Sequence, residues 1–335
     1  MKINTALVLL SLQLMITGCR KDDKKQVQDP LNIPANPVKP EAKTEDEIDF
    51  KNFNIFDIST IQRNELMDAF ISVSDIYHDK QAVPADFLKS QKDAPFSKMA
   101  YLELNDQYRK KMMDGLHLTE NDSLYLYNYE TNTLKKIPVN TLKAVAYISP
   151  YISEGEEIDI DSYMLGFQIE NQKSLNIFDK YTNVVAYFGN KNPFTENKMK
   201  MIRWKKADVE IQKKYFPGSN LKYGGTYQSR YENLTYYVQD LLEEYGTRER
   251  KLVVINDKNE KIFEKTFTIS DGAEFNPLEK TENETTNYHA QWTGRLFKGK
   301  EPVVLNFTSP SFGCPVITFL DKEKTELTIN CDNRH

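Results

Sequence analysis

The chain has 335 residues, enough for about two domains at roughly 150 residues each. Apolar residues make up 39%, a little under the roughly 45–50% of ordinary globular domains, yet aromatics reach 12%, with 19 Tyr, 18 Phe and 2 Trp, which excludes wholesale disorder. With 44 basic against 49 acidic residues and a net charge of −5, the chain lacks the basic excess of a nucleic-acid protein, and one N-terminal apolar run excludes a polytopic helical membrane protein.

Lys2 puts a positive charge ahead of Ala6–Thr17 (ALVLLSLQLMIT), too short to span a bilayer but the right length for the apolar part of a signal peptide. Ile16, Thr17, Gly18 and Cys19 follow: an aliphatic residue, two small ones, then Cys. This run resembles the lipobox of bacterial lipoproteins. The resemblance implies a signal peptide over 1–18, cleavage after Gly18, and acylation of Cys19 with chains such as palmitate. Each buried methylene then stabilises membrane attachment by roughly 0.8 kcal/mol, and stable anchoring takes more than one chain. Arg20 stands where lipoproteins retained in the inner membrane favour Asp, and Cys19-x-Lys21-Asp22-Asp23 is similar to a surface-export tether of some Gram-negative lipoproteins. The expected location is therefore the Gram-negative outer membrane, lipid-anchored and facing the periplasm or the cell surface. The plainer alternative for residues 20–23 is a solvated charge run. Pro30, Pro34, Pro37 and Pro40 punctuate a charged stretch nearly free of aromatics, so 19–50 reads as a disordered, extended tether.

The folded part follows in chain order. Thr60–His78 carries Ile61, Leu66, Met67, Phe70 and Ile71 at helical spacing and predicts an amphipathic helix. A second helix is expected within Ser97–Leu116, ending near Gly115. Leu124 and Leu126 alternate with Tyr, Glu130–Thr133 turns, and Leu134–Val139 returns, a hairpin. Ala144–Ile148, Tyr163–Ile169 and Val184–Phe188 read as strands. Trp204–Phe216 is helix-prone and stops at Pro217-Gly218. Tyr231–Tyr245 has helical spacing through Leu234, Val238, Leu241 and Leu242, with Gly246 as its cap. Leu252–Ile255 and Ile262–Phe267 form another hairpin, and Pro302–Phe307 a further strand. The expected fold class is α+β: amphipathic helices packed on mostly antiparallel sheets, in two sub-domains, 51–195 and 196–335, divided at the loop Gly189–Lys198.

Cys19 is claimed by lipid, which leaves Cys314 and Cys331 as an even pair in an exported chain. Each borders a strand, and Asp321–Glu326 makes the turn, so the two sulfurs fall across an antiparallel pair. A disulfide closing about 17 residues contributes roughly 3 kcal/mol in the chain-entropy account.

Chemistry-bearing motifs are scarce. His78, His117, His289 and His335 show no metal spacing, and no nucleophile elbow, Walker loop or dinucleotide fingerprint occurs. Cys314 with Asp332, Arg334 and His335 is the one nucleophile constellation, and the disulfide competes with it. Glu154, Glu156, Glu157, Asp159 and Asp161 crowd Gly155 without the spacing of a calcium loop. No metal, cofactor or nucleic acid is expected. Seven Tyr fall between Tyr215 and Tyr245, either core or contact surface. Phe312, in the rigid loop Pro310–Pro315, is likewise either core or partner contact. The candidate partner-binding residues are Tyr223, Tyr227, Tyr231, Trp292, Arg295, Phe312, Asp332 and Arg334. The expected function is that of a non-enzymatic, lipid-anchored envelope protein that binds a protein partner. Within that class the preferred role is inhibitor or immunity protein against an envelope-acting toxin or lytic enzyme. A glycan-binding surface lipoprotein is the alternative, and an extracytoplasmic hydrolase the third reading.

Overall fold

A computed structural model of the chain describes residues 53–63, 65–89, 94–173, 177–244, 246–269, 272–278 and 290–333. The expected signal peptide and tether, with Cys19, and also Arg334 and His335 lie outside the described residues.

The α+β expectation is overturned. Strands make up 45% of the structure against 14% helix, in several sheets that include a curled half-barrel. Among the described residues helices are five and short, the longest being Asp106–Gly115. The predicted helix over Thr60–His78 is instead an antiparallel pair, Ser59–Arg63 with Leu66–Ser72. Leu66–Ser72 runs inside a sheet and packs on both faces: Ala69 and Ile71 enter one core cluster and Phe70 another. A strand covered on both sides needs no polar alternation, so its apolar residues can also fall at helical intervals. The same holds for Tyr231–Tyr245. Its body is the strand Leu234–Glu243, with Tyr236 and Val238 in one cluster and Tyr237 in the opposite one. Gly246 opens the next strand at φ +135° and caps no helix.

The described residues form four sheets. The curled five-stranded sheet runs Ser59–Arg63, Leu66–Ser72, Tyr163–Gln172, Lys143–Ile148 and Tyr101–Glu103. A nine-stranded sheet takes strands from both sides of residue 195, among them the hairpin Ser123–Asn128/Thr133–Pro138 and the cysteine-flanked pair Val316–Phe319/Glu326–Asn330. Its one parallel pair joins Ile55–Phe56 to Ile329–Asn330 and ties the start of the described chain to its end. A third sheet holds Lys222–Tyr231, Leu234–Glu243, Gly246–Ile255 and Lys261–Thr268, edged by Lys205–Lys206, and Glu274–Phe275 pairs with Thr308–Ser309 in the fourth.

Side-chain alternation then builds the layers. Leu124, Leu126, Ala186 and Phe188 pack against Ala69, Ile71, Leu165 and Phe167 on one face of the curled sheet. Their neighbours Tyr125, Tyr127 and Val185 point to the opposite side, with Trp292 and Phe297. Val304 and Phe307 meet Trp204, Tyr236 and Val254 of the third sheet. Helix Asp106–Gly115 starts at Asn105, whose side chain accepts from the Gln107 and Tyr108 amides. Arg109 fastens it, donating to the Leu142 and Val139 carbonyls and to Glu120; that pairing holds the Glu120 carboxyl below its ordinary range.

Candidate functional site

A cleft of about 880 Å³ opens on the other face of the curled sheet. One wall is the strand Ser59–Arg63. A second is formed by Tyr147, Met164 and the turn Ser149–Ile152. The third is the C-terminal loop with Ser311, Gly313, Cys331 and Asp332. The size suits a bound segment or ligand, and barrel mouths are common binding places.

The curl has local causes. A bulge between Ala69 and Phe70 interrupts the pairing with Tyr163–Gln172. At Gly166 the neighbouring strand comes so close that a Cβ would stand 1.9 Å from the Ile71 carbonyl oxygen. The two sheet edges are drawn together where the Arg63 guanidinium lies 4.2 Å from the Tyr101 ring centre.

Behind this closure lies a buried polar knot. Asp68, with no solvent exposure, accepts through Oδ2 from Arg63 Nε at 2.8 Å and from the Tyr147 hydroxyl at 2.7 Å. Burial, reinforced by the neighbouring carboxylate, pushes the Tyr147 hydroxyl far above its ordinary range, and the bond to Asp68 raises Arg63 as well. Asp68 Oδ1 and Gln168 Nε2 have no hydrogen-bond partner among the described residues. At the cleft mouth, Asp57 keeps solvent contact, yet crowding by protein pushes its carboxyl up to about 6. Water reaching the side chain moderates that desolvation.

The third wall is fastened to the curled sheet. Cys314 and Cys331 form a disulfide with Cα atoms 5.5 Å apart. Oxidation leaves no thiol for a Cys314 nucleophile. Asp332 is buried; its carboxylate accepts from Ser72 Oγ, and its amide donates to Asp75 Oδ2 at 2.9 Å. Phe312 at the loop tip is 65% exposed, and Tyr151 across the cleft is 55% exposed.

Of the candidate partner-binding residues, then, Asp332 lines this cleft, and Phe312 stands in the loop between lining residues Ser311 and Gly313. Tyr223, Tyr227 and Tyr231 sit in the third sheet, where a bulge between Tyr223 and Thr226 turns them to different sides. Tyr223 joins Phe216 and Tyr237, while Tyr227 and Tyr231 join Tyr236 and Val238. Trp292 is 3% exposed and packs edge-on to Tyr129. Arg295 is exposed beyond the end of the Trp292–Gly294 strand. In the acidic loop, Asp159 caps the turn Ile160–Ser162, and no group of three His, Cys, Asp or Glu among the described residues is placed to hold a metal ion. Sequence reasoning missed Asp57, Arg63, Asp68, Tyr147 and Tyr151. One signal was available: Asp68 interrupts the apolar run Leu66-Met67-Asp68-Ala69-Phe70-Ile71, and a carboxylate there has to find partners or a task.

No family model, curated protein or solved structure matches this chain.

Proposed function

We propose that the folded body is the partner-binding part of a lipid-anchored protein of the Gram-negative outer membrane, and that it works by binding a protein and not by catalysis. One observation carries this reading: the exposed ring of Tyr151 lines a cleft of about 880 Å³, and exposed Phe312 projects from the loop whose neighbours Ser311 and Gly313 line the same cleft, a loop fixed by a disulfide at Cys314. Aromatic side chains held rigid beside a concavity bury large area on contact at little entropic cost. Such pre-organisation suits an inhibitor or immunity protein that must capture a toxin or lytic enzyme quickly and hold it. The glycan-binding alternative has less support, because both Trp204 and Trp292 are buried and Tyr151 is the one tyrosine among the exposed large apolar side chains of the described residues, so no array of exposed Trp and Tyr is formed.

The test is capture from envelope extracts by the mature lipidated protein. Phe312→Asp and Tyr151→Asp should each reduce recovery of the partner by at least about tenfold, the size of an anchoring contact. Thermal stability should stay unchanged, because both side chains are exposed. Undiminished capture by both variants would place the contact elsewhere, and retention on a polysaccharide column without protein capture would favour the glycan reading.

A further inference from the structure

Beside the cleft lies a smaller pocket of about 260 Å³, and Asp57, Ile58, Thr60, Ser309, Pro310 and Pro315 line both. It forms where sheets meet: Thr60 belongs to the curled sheet, Tyr129 and Asn183 stand at strand ends of the nine-stranded sheet, and Thr308 belongs to the fourth sheet. Its charge is one-sided. Asp57 is the single acid that lines it, and no Lys, Arg or His among the described residues does. The Asp57 side chain is exposed, accepts from the Ile58 amide, and forms no ion pair among the described residues. Its field reaches across the pocket: burial first, then the charges of Asp57 and Glu130, raise the Tyr129 hydroxyl against the opposing bond to Asn306. Cations that come near are already paired. Arg250 donates to the Asn276 carbonyl but pairs with Asp240, and Lys180, next to Tyr181, pairs with Glu170. In the adjoining cleft Arg63 is turned onto Asp68. A carboxylate crowded by protein and left without a cation complements an incoming positive charge. Guanidinium suits this setting better than ammonium. It is more weakly hydrated, so it gives up less on entering a confined site, and it grips a carboxylate with two parallel N–H bonds. Its other N–H groups need acceptors, and Thr60, Thr182, Thr308 and Ser309 bring hydroxyl-bearing residues to the lining.

Building on the partner-binding reading, we propose that the Asp57 pocket receives the guanidinium of an arginine of the partner protein. The partner rests against Tyr151 and the Phe312 loop, and its arginine reaches Asp57 over the wall that cleft and pocket share. Arginine is among the residues that most often anchor an interface, and a charge paired in a confined site fixes register as well as affinity.

The experiment titrates N-acetyl-arginine amide, N-acetyl-lysine amide and N-acetyl-citrulline amide into the mature lipidated protein in detergent and reads binding by saturation-transfer NMR. Citrulline keeps the shape of arginine without its charge, so this comparison uses only the native protein. The arginine amide should bind, the lysine amide more weakly, and the citrulline amide not measurably. Asp57→Asn should weaken arginine binding by about tenfold or more, as loss of one partner of a close charge pair does. Glu154→Gln, in the exposed acidic loop, should leave it unchanged. In capture from envelope extracts, Asp57→Asn should lower recovery of the partner by about tenfold. Arginine and citrulline amides binding alike, lysine binding as tightly as arginine, or indifference to Asp57→Asn would overturn the guanidinium site. Capture that depends on Phe312 and not on Asp57 would also overturn it and leave the partner-binding reading standing. If arginine amide binds through Asp57 while the extracts yield no protein, a free guanidinium compound is the ligand, and both the partner as its source and the partner-binding reading fall.

Discussion

Asp57 pairs solvent contact with crowding that lifts its carboxyl from 3.8 to about 6. A raised carboxyl means that the folded state holds the proton more tightly than the unfolded chain. Its contribution to stability is therefore fullest below about pH 4, falls as pH rises toward 6, and stays lost above that. Asp57→Asn should raise the melting temperature at pH 7 and change it little at pH 4; an equal effect at both, read by circular dichroism melts, would contradict this. At Gly166 the constraint is steric. A methyl group 1.9 Å from the Ile71 carbonyl would force the two central strands of the curled sheet apart. Gly166→Ala should cost about 1–3 kcal/mol or more in urea titrations, the range for overpacking a close site. Asp57 lines the cleft, whereas Gly166 acts on the sheet that carries it.

Elements show where local pattern is sufficient and where it misleads. The hairpin Ser123–Asn128/Thr133–Pro138 is legible in sequence because Tyr125 and Tyr127 face one core while Leu124 and Leu126 face another, with a turn between the strands. Strands Leu66–Ser72 and Leu234–Glu243 defeat the same logic, since both their faces are covered and the two-residue period disappears. The cysteine-flanked pair is the opposite case: turn residues, strand residues and an even cysteine count all agree, and the bond is present. It closes a loop of 17 residues, worth roughly 3 kcal/mol. The double replacement Cys314→Ser/Cys331→Ser should lower stability by about that amount in chemical denaturation. It should also speed hydrogen exchange around Phe312 while leaving the third sheet protected.

Across the whole molecule, the tether and the body separate by composition. Residues 20–49 have too little apolar surface to join a core, so their deletion should leave the melting temperature of the body unchanged. A fall of several degrees would show that the segment packs on the fold. By itself the sequence determined the lipobox resemblance, the tether composition, the hairpins and the cysteine pair, all of them features written within a few residues or by simple counting. Tertiary structure alone decided that Ser59–Arg63 and Leu66–Ser72 form strands, that one bulge parts Tyr223 from Tyr227, and that Tyr151 and the loop carrying Phe312 border one cleft. Those outcomes depend on pairings such as Ile55 with Ile329 and Ser72 with Asp332. Contacts between residues so far apart arise only when sheets curl and stack, and no local period encodes which partner arrives on a strand's second face.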